Sequence, residues 1–214
     1  MNRSQDFLSC DWGSTSFRLR WVRGPRRNVV CEICEPSGVK VLYEEANQNG
    51  AQDEKLRAPF FAKFLNTKLE ALLGSTPLPT TPLPLFISGM ASSTVGWCEL
   101  PYAKAPFALD GSGVSLKAIN WNKPPWIGAT YLISGVATEH EMMRGEETEI
   151  IGLMAEPALH TLRARCLIIL PGTHSKHVRI ENESVVDWRT FMTGELFEVL
   201  GRHSLLRASV EMNA

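Results

Sequence analysis

Residues 7–22 read FLSCDWGSTSFRLRWV, and the fold depends on how this stretch is divided. Phe7 to Cys10 are apolar or small and predict a short buried strand that ends on Asp11. Gly13-Ser14-Thr15 then supplies a tight turn of small residues. Beyond it Phe17, Leu19 and Trp21 alternate with Ser16, Arg18 and Arg20, the pattern of a second strand and not of a helix. A glycine-containing turn between strands lets the backbone approach a ligand closely, and successive amide N–H groups form an anion-binding concavity. The hydroxyls of Ser14 and Thr15 add donors, and Asp11 stands where it would hold a metal ion or its waters. An ordinary hairpin turn with an Asp at its first corner explains the same residues more simply. A P-loop is excluded, because it needs a helix after the turn and a Gly-Lys pair.

A chain of 214 residues can bury a large core, as one big domain or two small ones. Its hydrophobic content of 44% and charged content of 21% are ordinary for a soluble globular protein. A formal net charge of −1 gives no reason to expect nucleic acid or an anionic membrane as partner. No apolar run reaches the length of a membrane span, and the polar start MNRSQDF predicts no signal peptide. Five scattered cysteines, an odd count, predict reduced thiols in a cytoplasm. Cys31 and Cys34 lie three apart on a predicted strand and face opposite ways, which argues against a redox or zinc pair.

Residues 29–34 predict a third strand of an antiparallel meander, turned by Pro36-Ser37-Gly38. The polar segment 44–54 reads as a loop or the approach to a helix. Residues 58–73 place apolar side chains at 60, 61, 64, 65, 69, 72 and 73, one helical face with Pro59 near its start and Gly74 past its end. The stretch STPLPTTPLP is a rigid surface loop leading to a strand at 85–88, a helix-then-strand crossover onto the same sheet. Gly89-Met90-Ala91-Ser92-Ser93 follows directly, and small residues at the carboxyl end of a strand are where ligands sit in open α/β sheets. Trp97, Pro101 and Tyr102 would wall a small-molecule pocket or pack on the core. Further strands are predicted at 114–120 and 130–136.

In the second half, MRGEETEIIGL (143–153) places Arg-Gly-Glu-Glu at a helix start, where the helix dipole alone accounts for Glu146 and Glu147. LIILPGTHSK (167–176) is a second apolar strand entering a turn of small hydroxyl residues, followed by alternation at 178–180. Two such turns would clamp a polyphosphate, with Lys176 as a charge donor. His174 and His177 lack partners at zinc-ligand spacing. Thr193 is the expected N-cap of a helix over 194–200.

Five segments, DWGSTSFRLR, ISGMASSTVGW with PY after it, MRGEETEIIG, LPGTHSKHV and FMTGELF with HSLL after it, fall in the order found in 2-dehydro-3-deoxygalactonokinases. The chain resembles that family from Asp11 to about Leu206. These are sugar-acid kinases of the actin/hexokinase/Hsp70 superfamily. The resemblance implies an α/β fold: a ribonuclease H-like (actin-like ATPase) domain over residues 1–138, then the first part of a second such domain over 139–214. It implies a cytoplasmic enzyme that moves the γ-phosphoryl of ATP, with Mg²⁺, to the 6-hydroxyl of 2-dehydro-3-deoxy-D-galactonate. A kinase for a related sugar acid, or a non-catalytic sugar-acid or phosphate-binding remnant, are the alternatives.

On that resemblance Asp11 holds Mg²⁺, while Gly13, Ser14, Thr15, Gly172, Thr173, Ser175 and Lys176 contact the phosphates. A Gly-Asp pair in related kinases corresponds to Gly145-Glu146 here, making Glu146 the general base and Glu147 its reserve. Arg144 pairs with the substrate carboxylate, and Ser88, Gly89, Met90 and Trp97 contact the sugar. Ser16 stands where such kinases often carry Asn, and His177 where they often carry Trp. The chain is expected to be roughly one-quarter shorter than the family's usual extent, to lack the segments holding adenine and ribose, and to bind ATP weakly, around millimolar. An uncovered apolar face on helix 194–200 is expected to favour association, including a homodimer.

Overall fold

The computed structural model describes residues 6–74 and 76–209. In chain order its elements are β1 (Phe7–Trp12), β2 (Phe17–Arg23), β3 (Asn28–Glu35), α1 (Val39–Gln48), α2 (Glu54–Leu73), β4 (Leu83–Gly89), β5 (Ala103–Lys104), β6 (Phe107–Ala108), β7 (Leu116–Ile119) and β8 (Ile127–Ile133). There follow β9 (Val136–Ala137), β10 (Met142–Met143), α3 (Glu146–Met154), β11 (Arg165–Leu170), β12 (Ser175–Glu181), β13 (Ser184–Phe191) and α4 (Thr193–His203). The architecture is α/β with mixed sheets, in two compact units. Unit 1 takes the chain up to Ala103 with Val114–Val136 and Met143–Thr148; unit 2 takes Lys104–Gly113, Ala137–Met142 and the chain from Glu149. This division differs from a single cut at 138/139 in the segments 104–113, 137–138 and 143–148.

Unit 1 is a six-stranded sheet in the order β3-β2-β1-β4-β8-β7. β1, β2 and β3 form the expected antiparallel meander, closed at Trp12↔Phe17. β4 then returns parallel to β1, pairing Asp11↔Ser88 and Trp12↔Gly89, and β8 lies parallel to β4. Alternation explains the strands: Leu8, Cys10 and Trp12 of β1 and Phe17, Leu19 and Trp21 of β2 are buried. α2 lays Phe61, Leu65, Leu69 and Leu72 on that face. It begins a turn earlier than the apolar face predicts, because Asp53 caps it by accepting the Lys55 N–H at 2.7 Å. Pro59 therefore lies inside the helix. α1 was not expected. Only Val39, Leu42 and Ala46 are buried along it, and its remaining polar residues give the look of a loop.

Unit 2 contains the antiparallel sheet β11-β12-β13-β6, cored by Ile168, Val178, Ile180, Val185, Trp188 and Phe107. β13 escapes the eye because a bulge breaks its alternation. Arg179 pairs with Asp187 but Ile180 with Val185, so the buried residues Val185 and Trp188 stand three apart. Met192, not Thr193, is the N-cap of α4, and no side chain caps it. The Thr193 hydroxyl instead faces the Phe191 carbonyl at 3.5 Å. Leu196, Phe197, Val199 and Leu200 of α4 are exposed.

Candidate functional site

The turn after β1 is held from behind. Gly13 N–H donates to Ser16 O (2.9 Å), while the carbonyls of Gly13 and Ser14 accept the first amides of α1, Val39 N–H (2.9 Å) and Lys40 N–H (3.1 Å). Gly38 makes this seat possible, since a Cβ there would lie 2.3 Å from the Ser14 carbonyl atoms. The carbonyls of Gly13 and Ser14 are thereby occupied by α1. Ser14 and Thr15 are exposed, and among the described residues neither their amides nor their hydroxyls find a protein acceptor. This is a concavity of donors suited to an anion.

Asp11 stands beside it at the end of β1. Arg18 Nη1 lies 3.9 Å from its Oδ2. Burial raises the Asp11 carboxyl above its ordinary value and the Glu146 charge adds to that, while Arg18 and Arg20 pull it down. The Glu146 charge thus reaches Asp11. Among the described residues no three His, Cys, Asp or Glu side chains converge. A cation here would be held by one or two carboxylates, with phosphate oxygens and water completing its shell, which is how Mg²⁺ is usually held beside nucleotides.

Glycines bring Glu146 to this corner. Gly89, at φ +86°, would put a Cβ 2.6 Å from the Trp12 carbonyl oxygen, and Gly145, at φ +114°, would put one 3.3 Å from Gly89 Cα. Arg144 N–H then donates to Glu146 Oε2 (2.9 Å) and Gly145 N–H to Glu147 Oε2 (2.7 Å), with the Thr148 hydroxyl donating to Glu147 Oε1 (3.2 Å). Glu146 keeps partial exposure, whereas Glu147 is 0% exposed and burial pushes its carboxyl up to about 8. Glu147 is therefore an internal brace of the helix start and not the reserve base expected from sequence.

Two further expectations are corrected. The Arg144 fork serves the protein itself: Nη1 donates to Ser92 O (2.6 Å) and Ser92 Oγ (2.7 Å), Nη2 to Leu100 O (3.2 Å), and the guanidinium stacks 4.2 Å from the Tyr102 ring centroid. Trp97 is a core residue, 4% exposed, packed on Phe61, Trp12 and Trp121. Ser88 is buried with its hydroxyl 3.5 Å from Cys10 O, Gly89 is buried and Met90 is half-buried. Sequence reasoning missed Arg57. Buried on α2, it donates from Nε to Gly96 O (3.0 Å), from Nη1 to Gln52 O (2.9 Å) and from Nη2 to Thr94 O (2.7 Å), fixing the loop after Ser93. The signal was present, since 57, 61, 65 and 69 share one helical face and a charge there must be paired.

Unit 2 repeats the first arrangement within itself. The carbonyls of Gly172 and Thr173 accept amides of the first turn of α4, Gly194 N–H (3.2 Å) and Glu195 N–H (3.1 Å), and a Cβ on Gly194 would lie 2.7 Å from Gly172 O. Thr173 and His174 are exposed at the tip, with His174 Nε2 against Glu195 Oε2. Ser175 and Lys176 do not point outward as expected. The Ser175 hydroxyl closes the turn on Gly172, accepting its N–H at 3.3 Å. Lys176 is 6% exposed with Nζ donating to Thr190 Oγ1 (3.0 Å), which in turn donates to Glu141 (2.6 Å).

Residues 11–214 match the family model for 2-keto-3-deoxy-galactonokinase. The chain is 32% identical over 204 residues to DgoK1 of Rhizobium meliloti (strain 1021), named a probable 2-dehydro-3-deoxygalactonokinase, covering 95% of this chain and 59% of that one. It is 35% identical over 208 residues to the 2-dehydro-3-deoxygalactonokinase of Escherichia coli (strain K12), with the same coverage of 95% and 59%. A solved structure assigned to the same activity, from Sinorhizobium meliloti, superposes at TM-score 0.72 with 31% identity, covering 97% of this chain and 60% of that one. The chain thus spans about three-fifths of the length of the curated relatives it matches, less than the three-quarters anticipated.

Proposed function

This chain belongs to the 2-keto-3-deoxy-galactonokinase family, and on that premise we propose that it carries phosphate- and metal-binding parts of a kinase. The reaction is transfer of the γ-phosphoryl of ATP to the 6-hydroxyl of 2-dehydro-3-deoxy-D-galactonate. The observation that carries this reading is the exposed Ser14-Thr15 turn, its donors unpartnered among the described residues, beside the Asp11 carboxyl at the end of β1. The strand order of unit 1, an antiparallel meander followed by parallel strands, supports a ribonuclease H-like, actin-type ATPase fold. The recurrence in unit 2 of a strand-turn-strand hairpin sealed by a helix supports a duplicated one. Five free cysteines fit a reducing compartment such as a cytoplasm.

Phosphoryl transfer is catalysed mainly by positioning and charge neutralisation. The Ser14 and Thr15 amides and hydroxyls receive phosphate oxygens, and Asp11 is the residue that holds Mg²⁺. A bound Mg²⁺ supplies neutralisation of phosphate charge and relief of the Asp11–Glu146 repulsion. Glu146 accepts the proton of the attacking hydroxyl, a contribution of about 10²–10⁴-fold. The sugar acid lies by Ser88, Gly89 and Met90, and the Gly172-Thr173 turn is a phosphate-binding turn of unit 2 in its own right.

The test is coupled ADP release over a panel of sugar acids, together with titration calorimetry of ATP against the purified chain with and without Mg²⁺. Mg²⁺-dependent nucleotide binding abolished by Asp11→Asn supports the reading. Nucleotide binding insensitive to both Mg²⁺ and Asp11 sinks it.

A further inference from the structure

Unit 1 also holds an amine against a thiol. Lys117, on the edge strand β7, places Nζ 2.9 Å from Sγ of Cys98, in the loop after Trp97. Other polar contacts of cysteine here are longer: Arg18 Nε to Cys34 Sγ is 3.4 Å and Cys98 Sγ to Glu99 O is 3.8 Å. The nitrogen and sulfur are too far apart for a direct bond, and the gap suits one bridging oxygen. Glu54, whose Oε2 accepts the Glu99 N–H at 2.9 Å, is the third member of the cluster and acts on both Cys98 and Lys117. Cys98 is 8% exposed, a small opening that a peroxide can use.

We propose that Cys98 and Lys117 are a covalent modification site, in which oxidation installs a single oxygen between Cys98 Sγ and Lys117 Nζ. The oxidant is hydrogen peroxide. The Cys98 thiolate attacks one peroxide oxygen, so that an S–O bond forms and the O–O bond breaks. Hydroxide leaves as water with the thiol proton, and a sulfenic acid remains. Lys117, as the free amine after giving its ammonium proton to solvent, attacks a second peroxide in the same way and becomes a hydroxylamine with loss of water. Condensation of S–OH with N–OH expels a third water and closes the N–O–S bridge. Sulfur and nitrogen each give up two electrons, and these reduce the two peroxides. Contact distance between the reacting groups supplies the proximity the last step needs.

The bridge ties the loop that carries Leu100, an acceptor of the Arg144 fork, to strand β7, and a thiol reductant releases it. The inference stands whether or not the chain is a kinase. The test treats the purified chain with excess hydrogen peroxide and identifies its peptides by mass spectrometry. The expected product joins the peptides of Cys98 and Lys117 and is heavier than their sum by one oxygen less two hydrogens. It is absent from Cys98→Ser and Lys117→Arg and splits back into the unmodified peptides with dithiothreitol. Oxidation of wild-type Cys98 onward to sulfinic acid with Lys117 untouched, as expected only in Lys117→Arg, overturns the proposal. So does a Cys98 that remains a thiol once the exposed Cys34 is fully oxidised.

Discussion

Replacing Glu147 by glutamine should make the protein more stable at neutral pH. The side chain is 0% exposed, and its burial, reinforced by Glu146, lifts the carboxyl from an ordinary 4.5 to about 8. At pH 7 the unfolded chain holds Glu147 ionised while the folded chain holds it protonated, so folding must take up a proton. A folded-state value above the unfolded one favours folding below pH 4.5, and that advantage is lost as pH rises towards 8. At 1.36 kcal/mol per unit, the span from 4.5 to 7 costs about 3 kcal/mol. Glutamine avoids that uptake and still accepts the Gly145 N–H, while turning the Thr148 hydroxyl around returns about 1 kcal/mol. The net gain is about 2 kcal/mol at pH 7, or about 4–8 °C in Tm for a chain of this size. It should vanish near about pH 5, reverse to a loss of about 1 kcal/mol near pH 4.5, and grow by pH 9. Denaturant unfolding of both proteins from pH 4.5 to 9, followed by the Trp12, Trp97 and Trp121 cluster of unit 1, measures it. A stability difference that does not change with pH would refute the reasoning, because Glu147 would then be ionised in the fold.

Glu146→Gln should slow turnover by about 10²–10⁴-fold with nucleotide affinity unchanged, read from kcat against calorimetric Kd; a mild loss removes Glu146 from the base role. Asp11→Asn should lower Mg²⁺-dependent nucleotide affinity while leaving far-ultraviolet circular dichroism unchanged, and equal affinities would end the metal assignment. Gly38→Ala forces a Cβ to 2.3 Å from Ser14 and should cost at least about 2 kcal/mol, seen in thermal melts; an unchanged Tm would show that the seat of α1 is soft. Arg57→Met leaves three carbonyls without their donor and should cost at least about 3 kcal/mol while speeding hydrogen exchange at the Trp97 amide, which bonds Ala91 O. Exchange as slow as in the wild type would mean the loop is fixed without it.

Much of unit 1 was legible because its strands alternate cleanly. Phe17, Leu19 and Trp21 leave no second interpretation, and the helix-then-strand order puts the strand ending in Ser88-Gly89 on the same sheet, where the structure pairs it with β1. α1 and β13 were hidden for opposite reasons. The first buries too few side chains to show a period, and in the second a bulge disturbs a period that exists. In the site, the residue types at Asp11, Ser14 and Glu146 pointed to one corner of unit 1, where the fold brings Asp11 within electrostatic reach of Glu146. Side-chain direction could not be read, because Lys176 and Arg144 look in sequence like free cations and are consumed by Thr190, Ser92 and Leu100. Trp97 likewise sits in a loop motif, yet its ring belongs to the aromatic cluster of Trp12.

The helix seated beneath each turn has a mechanical consequence. A hairpin tip left to itself can fold its amides onto its own carbonyls and must be pried open before a ligand arrives. Here the α1 amides hold the carbonyls of Gly13 and Ser14, and the α4 amides hold those of Gly172 and Thr173, so that relaxation is blocked in advance. Each tip is thereby held in one shape, and the ordering entropy is spent during folding instead of at the moment of encounter with a ligand. Rigid tips of this kind discriminate by fit, and a displacement of either helix along its axis carries its tip with it.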